Sequence, residues 1–488
     1  MPRPNILVFM TDQQRGDTIP PYSRARMPNL ERFCSDGVTF TQAFCPSPHC
    51  CPSRATFFSG LYPSQHGVWN NVDVPNTLSR GLHEGVRLWS QDLRDSGYDM
   101  YFSGKWHVSS VETPRDRGWD MSSGVAAVRD HSDRYYHTLP DMREWGQYQR
   151  LAGGPLDRER GEGEILRPGY PLYTHYAEHE DLFRDQKVVS DAVEALRKRR
   201  GSADKPWCHF VGTLGPHDPY FAPQRFLDMY DVDDIELPES FGDLMGDKPG
   251  LYRRLRGRFD QLSEREHKEA IRHYLAFCSY EDYLFGQVLD ALDESGQADN
   301  TLVLYISDHG DYVAEHGLWC KGLPCFRGAY HIPVVMRWPN GIEMPDRIVD
   351  ALVSLADFAP TFLELAGVPI DRRMVGMSLT PFLFGKTPES WRDAVFTQSN
   401  GNELYGIQRS VMTKEWKFVY NGFDFDELYD LRSDPDETRN LASDPQYMEV
   451  IRQLSRVLWQ FAYDTNDVCV NSYIATALAT YGPGEAFA

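Results

Sequence analysis

Asn5-Ile6-Leu7-Val8-Phe9-Met10, running straight into Thr11-Asp12-Gln13-Gln14, reads as a buried first strand with a carboxylate at its end. Similar apolar runs recur at Trp207–Thr213, Thr301–Ile306 and Ile332–Arg337. Helical stretches separate them, at Leu88–Ser96, Gln186–Arg199 and Glu266–Leu292. Strands alternating with helices predict a parallel α/β sheet covered on both faces. Ligands in such sheets bind beyond the carboxyl ends of the strands. Two of the strands end at once in acidic residues, Asp12 after the first and Asp308-His309 after the third, which is the placement a metal site at the sheet edge needs. Hard oxygen donors suit a divalent cation, Ca2+ first, with Mn2+ and Mg2+ as alternatives. A single Asp after a strand is more often a helix cap; two of them, together with the cysteine motif below, favour the metal.

The chain has 488 residues, enough for one large domain and a smaller one. Its 71 acidic against 50 basic residues give a formal charge of −21. That argues against nucleic acid, whose binding is driven by Lys and Arg neutralising phosphates. An anionic substrate stays compatible, because a few basic residues focused in a pocket outweigh a negative surface locally. No segment is long and apolar enough to span a bilayer, and the short first run lacks the length and cleavage site of a signal peptide. The expectation is a cytoplasmic protein with no membrane partner. Nine cysteines, an odd number without a disulfide framework, fit a reducing compartment. Neither Cys50-Cys51 nor Cys320/Cys325 has zinc-finger spacing.

Between Gly124 and Gly169 the pattern turns irregular and rich in Arg, Asp, Gly and Tyr, predicting a surface insertion placed as a lid. Pro360–Gly367 reads as a helix and Gly385–Ser390 as a loop into a second domain. Alternation at Gly406–Met412 and Trp416–Tyr420 predicts a small antiparallel sheet, followed by a helix at Gln446–Tyr463. The tail Asp464–Ala488 is too apolar for a mobile one; it packs on the core or on another subunit, which leaves a homo-oligomer open. The expected division is a catalytic domain over 1–385 and a C-terminal subdomain over 386–488.

Cys50-Cys51-Pro52-Ser53-Arg54, followed by Ala55-Thr56-Phe57-Phe58-Ser59-Gly60, carries the chemistry. It resembles the sulfatase signature, in which a Cys followed by x-Pro-x-Arg is oxidised to formylglycine. Cys50 fits that pattern; Cys45-Pro46-Ser47 does not. The resemblance implies a formylglycine-generating enzyme as a maturation partner. It also implies a hydrated aldehyde whose one hydroxyl attacks sulfur while the other re-forms the aldehyde and expels sulfate, splitting one hard step into two. Arg54, four residues on, faces the same side if a helix begins at Cys50, and a helix N-terminus favours a bound anion. A lone cysteine before a proline turn is usually a small buried hydrophobe; the full motif reverses that reading.

Further segments resemble the family. In Gly104-Lys105-Trp106-His107, Lys105 and His107 point the same way on an extended strand; the resemblance gives Lys105 to a sulfate oxygen and His107 to the second hydroxyl proton. Gly215-Pro216-His217-Asp218-Pro219-Tyr220 gives His217 to sulfate or to the leaving oxygen. Glu315-His316-Gly317-Leu318-Trp319-Cys320-Lys321 gives Lys321 to sulfate. Asn71, twenty-one residues after Cys50, stands where phosphonate hydrolases contact substrate, although a loop Asn is usually a turn residue. His331 reads as structural. The metal set implied is Asp12, Cys50 (as formylglycine), Asp308 and His309, with Asp308 also accepting the attacking proton. Asp12-Gln13 and Asp308-His309 depart from the Asp-Asp and Asp-Asn of many members and look like phosphonate monoester hydrolases; an imidazole ligand tolerates Mn2+ better than Ca2+. Glu427-Leu428-Tyr429-Asp430-Leu431 and Asp434-Pro435-Asp436-Glu437 resemble the closing segment of sulfatases.

The resemblance implies an alkaline-phosphatase-like α/β/α sandwich with a smaller C-terminal α+β domain. The expected reaction is hydrolysis of a small-molecule or carbohydrate sulfate monoester. A phosphonate monoester or phosphodiester hydrolase with the same site is the nearest rival, distinguished by the ratio of efficiencies. A non-catalytic anion-binding scaffold is the rival of another class. Trp69, Trp119 and Trp145 are candidates to line a sugar pocket.

Overall fold

The computed structural model describes residues 3–74, 76–122, 160–165, 171–175, 181–199, 205–402, 404–471 and 479–486. Eight strands form the main sheet: β1 (Asn5–Thr11), β2 (Val38–Phe44), β3 (Asp99–Gly104), β4 (Asp120–Met121), β5 (Trp207–Gly212), β6 (Thr301–Ser307), β7 (Val334–Arg337) and β8 (Arg347–Ser354), in the order β4-β3-β5-β1-β6-β7-β2-β8. The central run β3-β5-β1-β6 is parallel, with Ile6 opposite Cys208 and Leu302. Every residue of β1, β5 and β6 is buried, as expected of strands covered on both faces.

The two covering layers follow from strand alternation. Phe9 meets Phe285 of the long helix Glu264–Glu294, ring centroids 5.2 Å apart, and Phe285 meets Phe33 of helix Pro28–Ser35. Val8 points the other way; its register partner Phe210 packs on Phe58 of helix Cys50–Ser59 at 5.1 Å. Helices Trp89–Asp95 and Phe358–Leu365 share that second layer through Trp89 and Phe362, 4.9 Å apart.

A second, antiparallel sheet is built from β9 (Val395–Gly401), β10 (Tyr405–Met412), β11 (Trp416–Asn421) and β12 (Glu427–Asp430). Helix Met448–Asp464 covers it, Trp459 lying against Tyr420. The described part of the tail packs on its own chain: Asp467 is buried against Arg409 of β10, and Trp459 Nε1 donates to the Tyr481 carbonyl at 2.7 Å.

The layout corrects several expectations. The sheet is mixed, because β7 runs antiparallel to both β6 and β2. It starts at Val334, not Ile332, since Pro333 has no N–H for the ladder. Strands β2, β3, β8 and β9 were not anticipated: β2 (Val-Thr-Phe-Thr-Gln-Ala-Phe) and β8 (Arg-Ile-Val-Asp-Ala-Leu-Val-Ser) carry polar residues that break the apolar run. The expected helix Pro360–Gly367 spans Phe358–Leu365, and Gly367 turns out of it at φ 65°. Of the expected insertion Gly124–Gly169, only 160–165 lie among the described residues, where Arg160 pairs with Glu266 at 2.7 Å. Trp145 also lies outside them. No helix among the described residues is long and apolar enough to cross a membrane.

Candidate active site

Strand order brings the site together. Because β3, β5, β1 and β6 are adjacent and parallel, the loops leaving their carboxyl ends lie side by side, carrying Lys105, His217, Asp12 and Asp308. Backbone bonds stitch these loops: Lys105 N–H to Gly212 O (2.9 Å), Asp12 N–H to Gly215 O (3.0 Å) and Asp308 N–H to Thr11 O (3.3 Å). Gly104 is required there. Its φ is 89°, and a Cβ would come within 1.9 Å of the Gly212 oxygen.

The fifth component is the helix that begins at Cys50. His49 is extended, Pro52 sits in the first turn where no N–H is needed, and Gly60 ends the helix at φ 72°, donating to Thr56 O. All ten helical residues are buried. Asn71 Oδ1 accepts the Cys51 N–H at 3.2 Å and so satisfies one of the open donors of the first turn. Asn71 thus supports the helix start.

Cys50, Asp12, Asp308 and His309 converge, each offering one ligand atom within 4.8 Å of the others. Cys50 Sγ lies 3.2 Å from His309 Nε2 and 3.7 Å from Asp12 Oδ1. His309 Nδ1 is 2.8 Å from the Gly310 carbonyl; donation there leaves Nε2 as the lone-pair nitrogen facing the carboxylates. Two carboxylates, one imidazole and Cys50 form a donor set that fits a divalent cation. Arg54 bridges the carboxylates, Nε to Asp308 Oδ2 at 2.7 Å and Nη2 to Asp12 Oδ2 at 3.2 Å. Asp308 Oδ1 also accepts the N–H groups of Gln13 and His309, while burial and then Asp12 push its carboxyl up.

Lys105 Nζ donates to Asp12 Oδ2 at 2.5 Å. Lys321 Nζ donates to Gln13 Oε1 and lies 2.8 Å from His217 Nε2, while His217 Nδ1 meets the Asp218 carbonyl at 2.6 Å. Burial and Cys50 push the Asp12 carboxyl up, but Lys105, His217 and Arg54 hold it well below the usual carboxylate range. Burial likewise raises the Cys50 thiol, and Lys105, Lys321 and His309 overcome it, leaving the thiol far below its ordinary value. The pocket is therefore built for a negative charge at position 50.

β3 ends at Gly104, so strand alternation does not orient Lys105 and His107. His107 sits at φ 53° and turns its Nε2 to Asp73 Oδ1 at 3.1 Å. Asp73 was not found from the sequence; its only signal is its place two residues after Asn71. The Gln13 amide is engaged away from the carboxylates of the metal set: Nε2 donates to Asp311 Oδ2 (2.5 Å) and Asp218 Oδ1 (3.2 Å). Tyr220 donates to the same Asp311 oxygen at 2.6 Å, and burial still pushes Asp311 up to about 6. His49, pushed down to about 3 by burial and then by Lys321 and His309, was also missed. His331 is buried against Thr41 O at 2.9 Å, away from these groups. Trp119 is core, and Trp69 lies under the Arg409 guanidinium.

Carboxylates on strand ends, ringed by Arg54, Lys105 and Lys321, make a site that can hold a cation and an oxyanion side by side. Residues 4–368 match the sulfatase family model, and 314–464 match that of the C-terminal region of N-sulphoglucosamine sulphohydrolase; the chain belongs to the sulfatase family, the sulfuric ester hydrolases. It is 27% identical over 472 residues to choline-sulfatase of Rhizobium meliloti, covering 91% of this chain and 83% of that one. It is 25% identical over 510 residues to N-acetylglucosamine-6-O-sulfatase of Bacteroides thetaiotaomicron, covering 95% and 88%. The fold is shared with phosphonate monoester hydrolase of Agrobacterium radiobacter, at a TM-score of 0.75 and 23% identity over 95% of this chain and 96% of that one.

Proposed function

We propose that the protein hydrolyses sulfate monoesters, with sugar sulfates as the first class to test, using formylglycine made from Cys50 and a divalent cation held by Asp12, Asp308 and His309. The observation that carries this reading is the convergence of Cys50 with those three residues within 4.8 Å, at the start of a buried helix. Formylglycine, as its hydrate, supplies the attacking hydroxyl and a route to release sulfate. A bound cation lowers that hydroxyl's pKa and neutralises developing charge. Arg54 fixes both carboxylates in one plane of approach. Lys105 and Lys321 hold sulfate oxygens, as fixed cations in a water-poor site do for developing charge. His217, beside Lys321, protonates the leaving alkoxide from Nε2, and His107, held by Asp73, takes the hydroxyl proton when the aldehyde re-forms. The sugar class is supported by the relative named for N-acetylglucosamine 6-O-sulfate chemistry.

A phosphonate or phosphodiester hydrolase is the second reading, favoured by the Gln13 and His309 variants. The test has two parts. The mass of the Cys50 peptide from a maturation-competent host should show the thiol replaced by an aldehyde or its hydrate; intact cysteine would sink the formylglycine mechanism. The matured protein is then compared on matched sulfate, phosphonate and phosphodiester substrates, and a higher kcat/KM on phosphonate would replace the first reading by the second.

A further inference from the structure

We infer that Cys51, Asp73 and His107 form a second cation site, suited to a thiophilic ion such as Zn2+, and that filling it stops the turnover proposed above. One ligand atom from each residue lies within 4.8 Å of the other two. Cys51 is wholly buried, while Asp73 and His107 are partly exposed and give the site its opening. His107 Nε2 lies 3.1 Å from Asp73 Oδ1, a separation at which both atoms can face one ion once the proton between them leaves. The Cys51 sulfur already accepts the Val72 N–H at 3.3 Å. An N–H aimed at sulfur steadies a metal-held thiolate, as outer-shell bonds do for other ligands.

The donor set differs in kind from the one around Asp12. Thiolate, imidazole and carboxylate together make a tetrahedral zinc set with one position left for water, and the sulfur is of no use to Ca2+. Lys105, the nearby cation, is engaged by Asp12. On binding, the Cys51 proton and the proton shared by His107 and Asp73 leave to solvent, and no electron moves. A coordinated His107 has lost the lone pair with which it accepts a proton, so the ion inhibits. The inhibition rests on the role of His107 proposed above; the binding does not.

The test uses the full-length chain with Cys50→Ala, which removes the neighbouring thiol, and saturating Ca2+ to occupy the Asp12 site. Titration with Co2+ should produce a thiolate-to-cobalt charge-transfer band that is absent from the C50A/C51S chain, with both variants showing the same circular dichroism. In matured protein with excess Ca2+, Zn2+ should inhibit, and Cys51→Ser should weaken that inhibition by about tenfold or more. No band, or an equal band in both variants, overturns the site. A Cys51-dependent band in a protein whose turnover ignores Zn2+ overturns the inhibition and removes His107 from the reaction, with the binding result intact.

Discussion

Asp73 shows how one side chain sets the behaviour of another. Burial pushes His107 down, but Cys51 and the bond to Asp73 bring it well above its ordinary value. Asp73→Asn should therefore lower the kcat reached above the His107 limb, where the imidazole is neutral, by about tenfold to a hundredfold with little change in KM, a share of what general acid–base catalysis supplies. It should also move the pH limb that reports His107 to lower pH; an unchanged profile would make Asp73 merely structural. Residues of this kind were the hardest to find in the sequence. Cys50, Arg54, Asp12 and Asp308 stand beside punctuation that can be read, a Pro-x-Arg spacing or the end of an apolar run. Asp73, Asp311 and His49 sit in loops whose local pattern says nothing, and they meet the site only through the order of strands. Gln13 was visible but its partners were not: its carbonyl receives Lys321 and its amide faces two carboxylates, contacts set by loops some 200 and 300 residues away.

Elements carry their own titrations. Asp282, on the long helix Glu264–Glu294, accepts the N–H groups of Asn29 and Leu30 and so caps helix Pro28–Ser35 from outside. Burial pushes its carboxyl up to about 6 against those bonds. The folded protein holds this proton where the unfolded chain releases it, so the contribution is full below about pH 4 and lost as pH rises through about 6. The midpoint of Asp282→Asn relative to the parent should rise between those limits, by an amount worth up to about 3 kcal/mol; a flat difference would place the ionised carboxylate in the folded state. At the far end, Arg409 is buried on β10 and forks onto Asp467 at 2.5 and 3.0 Å. Asp467→Ala leaves that guanidinium without a carboxylate and should cost about 3–5 kcal/mol, read as a lower thermal midpoint. Long apolar strands and the long helices were legible to within two residues. β2 and β8 were not, because they lie at one side of the sheet where polar residues interrupt the pattern.

At the scale of the whole molecule, the proposed cation would tie separate stretches of chain together at Asp12, at Cys50 and at the adjacent Asp308 and His309. A site that binds only the folded state adds about 2.7 kcal/mol at a hundredfold excess over Kd. Chelation should lower both the thermal midpoint and turnover, and the cation should restore them; a midpoint indifferent to chelation would count against the site. His309→Asn, which exchanges an imidazole nitrogen for an oxygen, should shift the preference from Mn2+ toward Ca2+ in the half-saturating concentrations for rescue.

The burial of the whole Cys50–Ser59 helix has one more consequence. Pro52 and Arg54, the residues by which a modifying enzyme would know the motif, are as hidden as Cys50 itself. The proposed oxidation has to finish before this helix docks, so the yield of working protein is decided by a race during synthesis. On that reading, each chain that folds first keeps its Cys50 thiol and lacks the proposed nucleophile. Slower translation or a colder culture should enrich the converted form, and folded, thiol-bearing protein offered to the modifying enzyme should keep its thiol.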